Sequence, residues 1–310
     1  MHINLVRYQP TYDSAIAHLE GSSVQGNGIQ LKILKEHFLD RSIVFPKTFP
    51  CLALNEHGEV IGTSVGAETK LVINGIIYPS GFVLDAKVHP SYRNKGIGRQ
   101  LAQQQKEWFN QEGWEKNFTT AKLSNAAVVK LSAKAIGKIF LTPFVYLTIP
   151  TNTRISSDFR ASGTKKFSVR LFGKASLPLR YHTTFPGGLG IFHTWMVYRI
   201  KVEKISWLYR LGLGCIEKMF PNRYAVLPKE KEVMEFATLF NHTEENIGGI
   251  NEVMEHLNGE GIRFLLVCCR KGDSMYDHLK KYSINTYAYN MITDFPLYEK
   301  DEIALDVRCL

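Results

Sequence analysis

The sequence predicts an α/β (α+β) protein, with a mixed, mostly antiparallel sheet flanked by helices. Three observations carry that reading. Short runs of apolar residues are separated by glycine turns in the manner of hairpins, amphipathic stretches interrupt them, and residues 166–310 repeat the strand-helix-strand-helix-strand rhythm of residues 1–150. With 310 residues, 45% of them hydrophobic, the chain is long enough for two cores.

Taken in order, Ile3 to Tyr8 alternates as a short strand, and Tyr12 to Leu19 and Ile29 to Phe38 place apolar residues at helical spacing. Cys51 to Asn55 and the run from Val60 flank His57-Gly58, a hairpin turn, and Asn74-Gly75 marks a second tight turn into a strand at 81–88. Ile97 to Glu112 then carries Leu101, Trp108 and Phe109 on a helical period, followed by a strand at Asn117 to Leu123 and a helix at Ala126 to Ile136. Thr151, Thr153, Ser156, Ser157, Ser162, Gly163 and Thr164 make a polar stretch with little periodicity, which places a linker at 151–165 between units 1–150 and 166–310. The second unit reads as strand (Ile191 to Val202), helix (Ser206 to Met219), strand (Glu232 to Phe240), helix (Ile247 to Leu257), strand (Ile262 to Cys269), helix (Met275 to Tyr282) and strand (Ile284 to Ile292).

The most informative segment is Val88-His89-Pro90-Ser91-Tyr92-Arg93-Asn94-Lys95-Gly96-Ile97-Gly98-Arg99, between the strand at 81–88 and the helix after it. A strand-to-helix turn of this kind aims several backbone N–H groups and the positive end of a helix dipole at one spot, which makes an anion site largely of backbone. Gly96 and Gly98 leave no Cβ between loop and ligand, while Arg93, Lys95 and Arg99 surround the spot with charge. A dinucleotide fingerprint needs glycine where Leu101 stands, and a Walker loop needs Gly-Lys-Ser or Gly-Lys-Thr; neither is present. An Arg and two Gly at these offsets arise by chance in roughly one protein in ten of this length, so the preceding strand, the V-x-P-x-x-R lead-in and the amphipathic helix carry the weight.

The R-x-x-G-x-G of residues 93–98 in this setting resembles motif A of the GNAT superfamily of acetyl-CoA-dependent N-acetyltransferases. The element order of residues 1–150 is that of a GNAT domain, and the second unit is expected to be a degenerate GNAT-like domain. The resemblance implies acetyl-CoA as cosubstrate, no metal, and an amine acceptor acylated by direct transfer. It places the pyrophosphate on Arg93, Asn94, Lys95, Gly96, Ile97, Gly98 and Arg99. The pantetheine arm would lie along Ala86, Lys87 and Val88, facing Phe118 to Leu123, with Asn125 contacting it. An N–H near Val88 would hold the acetyl carbonyl.

The attacking amine must be neutral, which calls for a base within reach. Asp85 and Glu68 are the candidates, although alternation puts Asp85 on the face of Lys87, where it reads as a solvated salt-bridge partner. Ser132 stands where the family usually places a Tyr that protonates the departing thiolate. Either the thiolate leaves unassisted, or Tyr146 substitutes, or catalysis has been lost, in which case the chain is a non-catalytic acyl-CoA-binding or regulatory protein. In the second unit the equivalent turn, Asn241 to Gly249, holds Glu244 and Glu245 and no Lys or Arg, so one coenzyme site is expected, with the second unit shaping the acceptor pocket. The block from Val88 through Trp108-Phe109 and Gly113 to Thr142-Pro143 is also similar to plant hookless-type acetyltransferases. None of this selects an acceptor or an oligomeric state.

Composition excludes several other classes. No cationic leader opens the sequence, and apolar runs such as Ile139 to Ile149 fall short of the ~18–20 residues that cross a bilayer, so a cytoplasmic protein without a membrane partner is expected. The five cysteines form no C-x-x-C pair and the ten histidines no metal pattern; reduced, buried thiols are expected. From Thr151 to Lys231 there are 15 Lys and Arg against 4 Asp and Glu, but no recognised nucleic-acid-binding motif, so a nucleic-acid partner is not expected. Gly62-Thr63-Ser64-Val65-Gly66 fits the G-x-S-x-G of serine hydrolases, yet Ala67 to Tyr78 is β-branched and broken by Asn74-Gly75 rather than helical, which argues against a nucleophile elbow.

Overall fold

The computed structural model describes residues 2–22, 28–156, 158–159, 167–212 and 229–310. Its first half runs β1 (Asn4–Arg7), α1 (Asp13–Gly21), β2 (Ile29–Leu34), β3 (Thr48–Leu54), β4 (Val60–Ile73), β5 (Ile76–Val88), α2 (Ile97–Gln111), β6 (Phe118–Lys122), α3 (Ala126–Ile136) and β7 (Phe140–Pro150). The second runs β8 (Phe167–Arg170), β9 (His182–Thr184), β10 (Gly190–Phe192), β11 (Arg199–Ile205), β12 (Val233–Met234), β13 (Phe236–Phe240), α4 (Ile250–Gly259), β14 (Phe264–Cys269), α5 (Ser274–Leu279), β15 (Asn285–Thr293) and β16 (Ile303–Asp306).

The long sheet has the order β1-β3-β4-β5-β6-β15-β7-β14-β13-β10-β9, with β16 pairing both β4 and β8. Its pairs are antiparallel except β5–β6, β13–β14 and β16–β8. In each half a helix connects two parallel neighbours, α2 between β5 and β6 and α4 between β13 and β14, so the halves share this strand-helix-strand unit.

The halves are interlocked rather than joined end to end. β15 lies between β6 and β7, with Tyr289 paired to both Lys122 and Phe144, and β7 in turn pairs β14. A single apolar layer containing Phe82, Phe118, Phe144, Phe192 and Phe240 runs along one face of this continuous sheet. A second sheet joins β2 to β11 and β12, again across the halves.

That pairing corrects one expectation. Ile29 to Phe38 is a strand for its first six residues rather than a helix. Ile29 and Ile33 fit either period, but Ile29, Leu31 and Ile33 also alternate, and the partner that selects the strand is β11, far away in sequence. The single strand expected at Ile191 to Val202 is broken by a 3-10 turn at Thr194–Met196 into β10 and β11. Of the helix expected at Ser206 to Met219, residues 207–212 are helical and 213–219 lie outside the described residues, as do positions 157 and 160–165 of the linker. Cys51, Cys268, Cys269 and Cys309 are free and buried; Cys215 lies outside the described residues. No helix among the described residues is long and apolar enough to cross a membrane.

The glycines of the G-x-S-x-G motif have a packing role. A Cβ on Gly62 would meet Ile97 Cγ2 at 3.0 Å and Leu101 Cδ1 at 3.1 Å, and one on Gly66 would meet Trp108 Cζ3 at 2.8 Å. They let α2 lie flat on β4. Ser64, between them, is a strand residue, buried, with its Oγ lacking a hydrogen-bond partner. A buried hydroxyl without a partner costs about 1–3 kcal/mol, so Ser64→Ala is expected to be neutral or stabilising in thermal unfolding. An esterase activity abolished in that variant would reopen the hydrolase reading.

Candidate active site

The site begins where β5 and β6 part. These parallel strands pair at Phe82 with Phe118 and at Val83 with Thr119, where Thr119 Oγ1 donates to Val83 O at 2.9 Å. Beyond that point β5 stays with β4 and β6 with β15, which leaves a wedge between Leu84–Val88 and Thr120–Lys122. The β4–β5 register slips between Thr63 and Val65, opposite Asp85 and Ala86, and Thr63 Oγ1 donates to Asp85 O at 2.9 Å. Asp85 sits at φ +50°, the left-handed region. Past this bulge the His89 N–H donates to Ile61 O at 2.9 Å, so strand alternation turns the Val88 N–H to the other edge, into the wedge.

The basic turn closes the wide end of the wedge. After a 3-10 turn at Pro90–Tyr92, Asn94 at φ +64° and Gly96 at φ +84° bend the chain into α2. No side chain caps the first turn of α2, and space is open where a Gly96 Cβ would lie, so its leading N–H groups are free to meet an anion. Arg93, Asn94, Lys95 and Arg99 are exposed here; Arg93 Nε donates to Val88 O at 3.4 Å, and Lys95 Nζ lies 4.7 Å from the centre of the Tyr92 ring.

Gly98 also has a packing role. It lies inside α2, and a Cβ there would stand 3.0 Å from Leu131 Cδ2, so it permits the close approach of α3. Asn125 is the N-cap of α3, its side chain accepting from the Val128 N–H at 3.3 Å. Ser132 is buried.

Asp85 is not the solvated partner that alternation suggested. Its side chain is 3% exposed, with Oδ2 2.9 Å from Lys35 Nζ and Oδ1 3.3 Å from Arg41 Nη1. Lys35, itself 2% exposed, also reaches Glu20 at 3.1 Å, and Lys87 pairs with Glu20 at 2.8 Å. Burial alone raises a carboxyl pKa, but Lys35 and Arg41 outweigh it and hold Asp85 at about 2. A carboxylate that weakly basic, with both oxygens engaged, does not collect a proton from an ammonium near neutral pH. It anchors the bulge instead, and no sequence signal pairs it with Lys35 and Arg41.

Glu68 stands outside the wedge. It pairs with Gly81, before β5 and β6 meet, and alternation with Ala67 and Thr69 turns it to the opposite face from Asp85. The site has walls that sequence reasoning did not assemble. Arg41 lies 5.3 Å from the ring centre of Tyr198, Tyr146 packs edge-on to Tyr289 at 4.7 Å, and Leu310 O accepts from Arg41 Nη2 at 3.4 Å. Burial raises the pKa of Tyr146 far above the ordinary phenol value, so its proton is held tightly.

A family model described as Acetyltransferase (GNAT) family matches residues 28–137, the stretch that holds the wedge and the basic turn. No curated protein sequence matches the chain. Among solved structures, N-myristoyltransferase from Saccharomyces cerevisiae with bound myristoyl-CoA superposes with a TM-score of 0.55 at 10% identity, over 95% of this chain and 83% of that one. A GCN5-related glucosamine N-acetyltransferase region of a fungal multi-domain GH3 β-N-acetylglucosaminidase gives 0.53 at 9% identity, over 94% of this chain and 38% of that one. At these identities the structures speak to the fold, and the family match to the domain. The chain thus carries an acyltransferase domain of the GNAT type over residues 28–137, set in a GNAT-like fold that extends through both halves.

Proposed function

We propose that the protein is an N-acetyltransferase that moves an acetyl group from acetyl-CoA to an amine by direct transfer, with no covalent intermediate on the path. The observation that carries the reading is the wedge between β5 and β6 with the uncapped basic turn at its mouth. A pyrophosphate on the first turn of α2 lets the pantetheine arm enter along Ala86–Val88. The thioester carbonyl then meets the Val88 N–H, a fixed donor for the oxyanion that forms as nitrogen attacks. The acceptor reaches the thioester from the face of Asp85 and Arg41, where Tyr146 of β7 and Tyr198 and Tyr289 of the second half supply walls. The amine sheds its proton to water, since neither Asp85 nor Glu68 is placed to take it.

The buried Ser132, and a Tyr146 whose proton is tightly held, favour one second reading, an acyl-CoA-binding protein without turnover. Two measurements separate the readings. Acetyl-CoA at a hundred times its dissociation constant is expected to add about 2.7 kcal/mol to stability, visible in thermal unfolding. Thiol release with a panel of small amines, amino acids and lysine peptides then reports turnover. A shift without thiol release for any acceptor would support the binding protein, and no shift with acetyl-CoA or myristoyl-CoA would sink both.

A further inference from the structure

Lys122 is the last residue of β6, on the β6 side of the wedge where it opens. Beyond the last β5–β6 pair, Val83 with Thr119, Lys122 lies three residues further along β6, facing the stretch of β5 past the Asp85 bulge along which the coenzyme arm would lie. It shares a strand face with Phe118 and Thr120, the face of the apolar layer and of the acceptor side, and directly across the ladder stands Tyr289. Its ammonium lies 5.4 Å from the ring centre of Tyr287, and no carboxylate among the described residues pairs with it. Lys35, Lys87 and Arg41, by contrast, are held by Glu20 or Asp85.

Resting on the acyl-CoA reading above, we propose that Lys122 is a self-acylation site: its amine accepts the acyl group from coenzyme bound in the wedge. Partial burial without a counter-charge lowers the pKa of this lysine, so more of it is neutral than of a surface lysine. The ammonium first loses a proton to water. The amine then attacks the thioester carbonyl carbon, the C–N bond forms, the C–S bond breaks, and the coenzyme leaves as the thiol with the second proton of the nitrogen. The product is an amide on Lys122, neutral and bulkier, lying against Tyr287 at the edge of the acceptor side.

The test is peptide mass mapping of the full chain after incubation with acetyl-CoA, beside thermal unfolding under the same conditions. Lys130 and Lys134, exposed on α3, report the background reaction. Acetylation of Lys122 is expected to outrun theirs by more than roughly tenfold, the advantage of a held reactant over a free one. With acetyl phosphate, which needs no coenzyme site, that preference should shrink to what the larger neutral fraction of Lys122 supplies. Lys122→Arg should keep the thermal shift and lose the labelled peptide. A normal shift with Lys122 acetylated no faster than Lys130 overturns the proposal and leaves the acyltransferase reading standing; absence of the shift removes both.

Discussion

Replacing Asp85 by Asn is expected to lower the unfolding free energy by about 3–5 kcal/mol, because it leaves Arg41 without a carboxylate and Lys35 with Glu20 alone in a buried site. Asn tolerates the left-handed backbone that Asp85 adopts, so the variant removes charge while keeping the bulge. Adding Lys35→Met should recover part of the loss, since the two residues touch and their effects do not add. The pH dependence has a definite sign. The carboxyl of Asp85 is held at about 2 in the folded state, below its ordinary value of 3.8. The stabilisation is therefore complete above about pH 4 and is lost as pH falls towards about 2. Denaturant midpoints of the wild type should drop across that window more steeply than those of Asp85→Asn. Equal stability of the two proteins at neutral pH would show that the buried cluster contributes nothing.

The second large effect concerns coenzyme affinity. Lys95→Glu with Arg99→Glu is expected to abolish the thermal shift from acetyl-CoA while leaving the melting temperature of the free protein almost unchanged. Both side chains are exposed, so the fold does not depend on them, and exposed charges contribute little to stability. Hydrogen bonds to a charged phosphate contribute about 1.5–3 kcal/mol each, so losing two weakens binding by at least roughly a hundredfold. Gly98→Glu should behave differently. Its Cβ meets Leu131, so it lowers the melting temperature of the free protein as well as the affinity, and by itself cannot separate binding from packing. Retention of the full acetyl-CoA shift in the double variant would place the coenzyme elsewhere.

How much was legible depends on how far apart the interacting residues lie. The strand at 81–88, the basic turn and the amphipathic helix after it are local patterns, and β5, Gly96 and α2 stand where those patterns put them. The wedge is nearly as local, because a helix that connects two neighbouring parallel strands leaves few arrangements open. Gly62 and Gly66 were visible as a motif, but their packing role appears only when Leu101 and Trp108 are laid across them.

What the sequence determined by itself is the plan of each half and the basic strand-to-helix turn, because hydrophobic period, turn glycines and clustered cations act over a few residues. The tertiary structure alone decided three things. It made β2 a strand by supplying β11 as its partner. It inserted β15 between β6 and β7, so that both halves share one sheet. It also turned Asp85 from a surface residue into the centre of a buried ion cluster, with Lys35 fifty residues away and Arg41 forty-four. In each case the deciding energy is a contact between distant segments, ladder hydrogen bonds in two cases and a desolvated charge pair in the third, and no local window of sequence contains both partners.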